Sequence, residues 1–489
     1  MRRGGKSLTV VLFCVAAAAT LRAQTFTTLF TFDGKNGEKP SAPLLQGFDG
    51  NFYGTTASGG LHFNGGGTIF QLTPSGTMTI LYSFCGVNTP RECADGYTPE
   101  AALTQTPNGY LYGTTETGGD TGYGTVFEFT PSGFKSLYSF CSPAPCTGGS
   151  DPIGALLWAP TGNFYGTTLG GGVSEAGTFL KMTAGGVPTT LHDFCLEGVY
   201  PTCADGAGPT GVIPGTDGNF YGTTIFGGPA GDGTVFKITP GGTLTTLYSF
   251  CSQSGCADGT GPNGVIQGAD GNFYETTNAG GAPGFGTVFK LTASGTLTTL
   301  HTFCLAGSPC IDGGTPLAGL VQATDGNLYG TTSQCVGLTA GCKYPGTIFQ
   351  ITPSGTFTTL YIFCSAGAPC TDGADPGAAL IQGTDGNLYG STTKGSGSAP
   401  GTIFRLSVGL APFVKALPGL GTAGTVVRIL GNNLTGTTSV TFNGTAASFS
   451  VATNTLIEAT VPAGASTGEI QVVTPSGTLS SNTPFRVEP

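Results

Sequence analysis

The sequence predicts an all-β chain: a seven-bladed β-propeller of four-stranded blades, its last blade completed by the N-terminal strand, followed by a β-sandwich. Three observations lead there. A block close to DGNFYGTT, followed about a dozen residues later by GT(V/I)F, recurs seven times, with its tyrosine at Tyr53, Tyr112, Tyr165, Tyr221, Tyr274, Tyr329 and Tyr389. Glycine at 86 of 489 residues, abundant threonine and only 9% charged residues describe short strands joined by tight turns. Beyond the N-terminus no stretch sustains a 3.6-residue apolar period.

Each repeat of about 56 residues holds four extended segments. In the fourth they are Gly211 to Gly215, Asn219 to Thr224, Gly233 to Thr239 and Thr243 to Phe250, with Asp217-Gly218 and Pro240-Gly241-Gly242 as hairpin turns. Seven such meanders match the radial plan of a propeller; a solenoid is the rival. Small residues ahead of the first strand, as in Gly377-Ala378-Ala379-Leu380, suit crowding near an axis. The ring is favoured most by the ends. Thr25 to Phe32 aligns with the fourth strand of later repeats, such as Thr356 to Phe363, whereas the seventh repeat runs into Ser407-Val408-Gly409 without one. A strand moved across the chain closes a ring and removes its edges. The short hairpins then share one plain face, and the longer second-to-third loops and inter-repeat links share the other, where chemistry is displayed.

Residues 1–23 read as a secretion signal, with Arg2, Arg3 and Lys6 before the apolar run from Leu8. Cleavage there leaves 13 Lys+Arg against 27 Asp+Glu, a formal charge of −14. That surface excludes nucleic acid and anionic lipid as partners. No second apolar run is long enough to span a bilayer. The expected product is secreted or held at the cell surface, and monomeric. Its domains are expected at 24–408 for the propeller and 411–489 for the sandwich.

Apart from Cys14 the chain has 14 cysteines, which suits local disulfides in an exported protein. Six pairs fall one per inter-repeat link: Cys85 and Cys93, Cys141 and Cys146, Cys195 and Cys203, Cys251 and Cys256, Cys304 and Cys310, Cys364 and Cys370. Cys335 and Cys342 pair inside the sixth repeat's long loop. Zinc is disfavoured, because no local site supplies four ligands. After the second cysteine, Asp95, Asp205, Asp258, Asp312 and Asp372 each precede a glycine, and Asp33-Gly34 holds the same place in the first link. A carboxylate ring on the loop face would bind calcium or basic groups. Against it stands plain turn chemistry, with the carboxylate capping nearby N–H groups, and this reading is favoured.

No catalytic constellation emerges. His192 and His301 stand where other repeats have Tyr82, Tyr248 and Tyr361, as packing substitutes, and His62 is alone in a loop. Glu116, Asp120, Glu175 and Asp232 are solvated loop charges, with a glycosidase-type carboxylate pair as the alternative. Glu275 replaces a glycine common to the other repeats, either as an isolated functional acid or as an edge substitution. Trp158 replaces the glutamines Gln46, Gln105, Gln267, Gln322 and Gln382. Those amides either form a collar near the channel's plain end, partly plugged by Trp158, or each close their own hairpin.

From about Ala411 the pattern changes to Thr425 to Leu430, Ser439 to Phe442, Leu456 to Val461 and Gly468 to Val473, a compact sandwich. The run VRILGNNLTGTTSVTFNGTAA, then IEATVPAGASTGEIQVVTPSG, resembles the IPT/TIG immunoglobulin-like domain, which implies an interaction or spacer module. The repeats, through DGNFYGTT and GTVFKITPGGTLTTLYSF, resemble the GloVer tandem repeat of bacterial exported "choice-of-anchor" proteins. That resemblance implies export and brings no reaction with it. The expected function is non-enzymatic binding of an extracellular protein or polysaccharide through the loop-rich face, without a cofactor. Tyr123, Phe226, Phe285 and Tyr344 are the candidate ligand-stacking aromatics, along with Phe63; they serve equally as loop anchors. A carbohydrate-active hydrolase or lyase on the same scaffold is the alternative.

Overall fold

The computed structural model describes residues 24–62, 65–86, 93–142, 145–159, 161–196, 198, 200–306, 310–333, 345–367, 369–395 and 400–488. The secretion signal, Phe63, Cys335, Cys342 and Tyr344 lie outside them. Among the described residues the chain is all-β, with one 3-10 turn at Ser254–Cys256 and no α-helix.

The first six repeats each form an antiparallel sheet with strands in sequence order, four in number except in the fifth, where the first strand is split into Thr260–Pro262 and Ile266–Gln267, consistent with propeller blades. The fourth comprises Ala207–Pro214, Phe220–Phe226, Thr234–Ile238 and Leu244–Ser249. Its first strand starts earlier than the sequence suggests because a bulge between Pro209 and Gly211 lets the segment before Gly211 pair as well. The inner strands are buried on both faces, as in Thr68–Leu72, while the outer strands alternate, so the aliphatic and aromatic runs of the sequence lie between stacked sheets.

The last sheet takes Ile381–Gln382, Leu388–Thr392 and Thr402–Ser407 from the seventh repeat and Thr25–Thr31 from the N-terminus. Thr25 stands opposite Ser407, and Thr31 opposite Thr402. A register shift between Thr28 and Phe30 matches the shift seen where third and fourth strands pair within the other repeats. Phe26 stacks on Tyr361 at 4.0 Å, as Phe134 stacks on Tyr82 at 4.0 Å and Phe357 on His301 at 3.9 Å. The N-terminal strand therefore makes the contacts of a fourth strand.

Contacts between neighbouring repeats recur too. The residue ahead of each GT(V/I)F glycine accepts a backbone hydrogen bond from the next link: Gly66 from Thr98, Tyr123 from Asp151, Ala176 from Gly208, Asp232 from Gly261, Phe285 from Thr315 and Pro345 from Asp375. The seventh member of the series joins Lys39 N to Pro400 O at 2.9 Å, from the first repeat to the last. One core cluster likewise combines Phe52 and Phe70 with Tyr389 and Ile403.

The C-terminal segment forms two four-stranded sheets and a short parallel pair around Val427, Ile429, Phe442, Ile457, Ile470 and Phe485. It rests on first-to-second hairpins of the repeats. Arg486 Nη1 donates to Gly215 O at 2.9 Å, Asn432 Nδ2 to Thr384 Oγ1 at 2.9 Å, and the Arg428 guanidinium lies 4.9 Å from the Phe48 ring centroid. These hairpins belong to the plain face, so the second-to-third loops are left on the other.

Candidate functional site

The repeat signature is explained by a buried pair of threonines. The last threonine of YGTT and the threonine of GT(V/I)F bond through their hydroxyls in all seven repeats, from Thr56 with Thr68 at 3.0 Å to Thr392 with Thr402 at 2.8 Å. The second threonine also donates its backbone N–H to the first, as Thr68 does to Thr56 Oγ1 at 3.0 Å. A Cβ on Gly67, ahead of Thr68, would stand 2.1 Å from Thr56 O, so only glycine fits there.

The link aspartates are engaged within their own links. Asp95 accepts from Tyr82 Oη at 2.7 Å and Cys85 N at 3.1 Å; Asp372 accepts from Tyr361 Oη at 2.8 Å and Cys364 N at 2.9 Å. Asp258 takes Tyr248 Oη, Ser252 N and Ser252 Oγ instead. His192 and His301 meet Asp205 and Asp312 at 3.3 and 2.9 Å, so they reproduce the tyrosine's hydrogen bond as well as its packing. Each carboxylate thus ties the outer strand to the start of its link, which is turn chemistry. Beside them, six cysteine pairs lie at disulfide distance, from Cys85–Cys93 to Cys364–Cys370.

Asp33 needs correcting. A Cβ on Gly37 would meet Thr56 and Thr68, as one on Gly96 would meet Thr115 and Thr125. Gly37 is therefore the counterpart of Gly96, Asn36 stands where Asp95 stands, and Asp33 takes the place of Cys85. Asp33 N donates to Asn36 Oδ1 at 2.9 Å and Asn36 N to Asp33 Oδ1 at 3.0 Å, a side-chain clasp in the one link without cysteines. Two nearby Asx-Gly pairs in a shortened link misled the sequence alignment.

Four of the five glutamines donate within their own hairpins, and all five also bridge to the preceding repeat, without forming a closed collar. Gln322 Nε2 donates to Gly326 O of its own hairpin at 2.9 Å, and its Oε1 accepts from Ala269 N of the preceding repeat at 2.8 Å. Gln105, Gln267 and Gln382 accept from Phe48, Thr216 and Thr324 N; Gln46 accepts from Thr384 N at 2.9 Å, first repeat to seventh. The donor always lies two residues past the preceding repeat's glutamine position. Trp158 and Pro214 break the pattern, and the residues two past the positions before them are Pro107 and Pro160, which have no N–H to give. That coupling is visible in the sequence once the donor is known. Trp158 does not line the cavity described next; its ring packs edge-on to Phe164 at 4.8 Å.

A cavity of about 420 Å³ takes residues from all seven repeats, among them Ser41, Ala102, Gly154, Thr210, Asn263, Gly319 and Ala378. Most come from the small-residue segments ahead of the first strands. Glu100 lines it; burial pushes its carboxyl up against the opposing pull of Lys39. Glu116 and Asp151 are also raised by burial, with Glu100 and Asp151 repelling the Glu116 charge. Glu275 is not on an edge: it lies in Phe273–Ala279, paired on both sides, and is wholly buried. Its Oε1 accepts from Thr276 N at 2.8 Å, its Oε2 has no partner, and burial drives its carboxyl well above the usual range.

The Gloeobacter/Verrucomicrobia repeat model matches residues 2–204, 198–404 and 256–445. The chain belongs to the Gloeobacter/Verrucomicrobia repeat family. The IPT/TIG domain model matches residues 415–487 of this repeat protein. No curated protein matches it. Among solved structures it is similar to a Bacteroides fragilis protein assigned as a 6-phosphogluconolactonase (17% identity, 75% of this chain and 86% of that one, TM-score 0.42). It is also similar to the extracellular domain of a B. thetaiotaomicron hybrid two-component system (10%, TM-score 0.49) and to a fungal AA5 alcohol oxidase with copper (13%, TM-score 0.49). This chain is covered to 96% and 95% in those two alignments, and they take in 58% and 99% of the other chains. Identities and TM-scores this low carry no functional argument.

In this Gloeobacter/Verrucomicrobia repeat protein the candidate aromatics divide. Tyr123 and Phe226 are 44% and 41% exposed, and Phe226 meets the exposed Tyr200 edge-on at 5.9 Å. Phe285 packs into the core around Phe303 and Phe349 and anchors its loop. Leu61, Val173, Leu196, Leu305 and Ile311, on second-to-third loops or links, are exposed as well. Among the described residues, the one grouping of potential metal ligands is Asp232 with Cys251 and Cys256, whose sulfurs are joined to each other. No helix among the described residues is long and apolar enough to cross a membrane.

Proposed function

We propose that residues 24–408 close into a seven-bladed ring and that the protein, exported as a monomer, binds an extracellular polysaccharide or protein through its loop-rich face. Closure is supported by the bonds that repeat between neighbours and recur between the last repeat and the first: Lys39 N to Pro400 O, Thr384 N to Gln46 Oε1, and the pairing of Thr25–Thr31 with Thr402–Ser407. Export is supported by the cysteine pairs, which persist in oxidising compartments. The observation that carries the binding reading is the placement of exposed large apolar side chains. Leu61, Tyr123, Val173, Tyr200, Phe226 and Ile311 lie on second-to-third loops and links, with Val187 the exception on a third-to-fourth hairpin, while the C-terminal domain, residues 411–489, occupies first-to-second hairpins as a spacer.

Retention of the purified protein on a panel of immobilised polysaccharides and extracellular proteins tests this reading. Tyr123→Ala with Phe226→Ala is expected to abolish retention; unchanged retention refutes the assigned surface. The hydrolase or lyase alternative is favoured by one observation, the half-buried Glu100, Glu116 and Asp151 with raised carboxyls. Release of soluble sugar in the same assay decides for it.

A further inference from the structure

We propose that the cavity shared by the seven repeats is a binding site for a small organic ammonium ion, a primary amine with a short aliphatic body, whose charge is held at the wall of the fifth repeat. The fifth repeat departs from the others at this one place. Elsewhere a glycine stands in the second strand because a Cβ would collide with its neighbours: on Gly54 it would lie 2.5 Å from Phe70 Cζ and 3.0 Å from Leu44 Cδ2. The fourth and fifth repeats have Val212 and Val265 where Leu44 stands, each with a lead one residue shorter than that from Pro316 to Leu320. In the fourth the glycine stays, because a Cβ on Gly222 would lie 2.4 Å from Gly211 O; in the fifth the place is filled by a carboxylate.

Nothing in the wall compensates that carboxylate fully. Thr276 serves Oε1, and Oε2 is left without a partner at a fully buried residue. A Cβ on Gly319 would stand 3.6 Å from Oε2 and one on Gly264 3.9 Å away, and Gly319 lines the cavity, so Oε2 lies behind its wall, next to a lining glycine. Alongside, Asn263 lines the cavity and commits both amide hydrogens to the wall, to Thr276 Oγ1 and Pro316 O at 2.9 Å each. Its Oδ1 is the atom left to face a ligand. The lining includes Glu100 and no lysine, arginine or histidine. A buried carboxylate calls for a cation or a proton donor.

The rest of the cavity selects the kind of cation. A hard metal ion needs several oxygen ligands converging within a few ångströms. Among the described residues no group of three acids, histidines or cysteines does so here. An ammonium needs only acceptors for three N–H groups, and Ile153, Ile225 and Leu317 offer apolar wall for its body. The volume of about 420 Å³ is that of a small-molecule pocket. Leu317, in the lead before the sixth repeat's first strand, is 44% exposed.

The test is calorimetric titration of the full-length protein with n-butylammonium chloride at fixed ionic strength, with n-butanol and calcium chloride as parallel probes. Saturable n-butylammonium binding is expected, weakened at least tenfold by Glu275→Gln and by Glu275→Gly, with n-butanol failing to bind. Glu275→Gly carries the residue found at this place in the other repeats, and melting curves establish that both variants fold. No saturable binding to the unaltered protein, or binding that both variants retain, overturns the proposal. Calcium binding that Glu275→Gln abolishes assigns the site to a metal and overturns it as well. The proposal stands on the cavity and not on the loop-face reading, so loss of polysaccharide retention leaves it intact.

Discussion

Thr168→Val is the substitution that tests most sharply why the repeats carry threonine twice. Thr168 Oγ1 donates to Gly170 O at 2.9 Å and accepts from Thr178 N at 3.1 Å; the two hydroxyls lie 2.9 Å apart. One hydroxyl is thereby used to its full capacity of one donated and two accepted bonds. Both threonines are wholly buried, so valine of nearly the same shape leaves the Thr178 N–H and hydroxyl without partners or water. Each orphaned buried donor costs about 1–3 kcal/mol, so Thr168→Val is expected to destabilise by about 2–6 kcal/mol. Adding Thr178→Val removes one of the two orphans, so the double variant is expected to cost less than the sum of the singles. The lone Trp158 sits in the same sheet and reports its urea unfolding by fluorescence, with calorimetry as the second probe. Destabilisation below about 0.5 kcal/mol, or strictly additive singles, would refute the reasoning.

Three further outcomes follow from the links and the second-to-third loops. The third link has Gly148 where the other cysteine-bearing links have aspartate, with its would-be Cβ 3.6 Å from Tyr138 Oη; Gly148→Asp is expected to rebuild the missing bond and raise stability by about 0.5–1.5 kcal/mol, read as a higher melting midpoint. Burial raises the Glu116 carboxyl in the folded state, so the native protein holds this proton more tightly than the unfolded chain and its contribution to stability falls as pH rises past the unfolded value of about 4.3. Glu116→Gln is therefore expected to stabilise at pH 7 and to lose that gain below pH ~4, measured by melting across pH. Replacing Cys251 and Cys256 by serine opens a ring of sequence separation 5, with an expected loss of about 2 kcal/mol by differential scanning calorimetry.

The repeats were legible because each signature residue has a local job. The threonines pair within a repeat, the glycine before the second one leaves no space for a Cβ, and Asp217 takes Asn219 and Tyr221 across its own turn. Spacing alone exposes such contacts. Features fixed by two repeats at once were harder to see. The glutamine bridge needs a donor about fifty residues away, as between Gln267 and Thr216, and only the stacking of sheets makes that donor a neighbour. Glu275 reads as an edge change until strand order places it between two paired strands. The seat of the C-terminal domain left no sequence signal, since Arg486 binds a backbone carbonyl, that of Gly215.

The central claim is that the N-terminal strand completes the last sheet. Hydrogen exchange read by mass spectrometry on the peptide spanning Thr25–Thr31 tests it most directly. The account predicts protection equal to that of the fourth strands inside the repeats, such as Leu244–Ser249. Exchange of that peptide at the rate of an unstructured chain, with Leu244–Ser249 still protected, would contradict it.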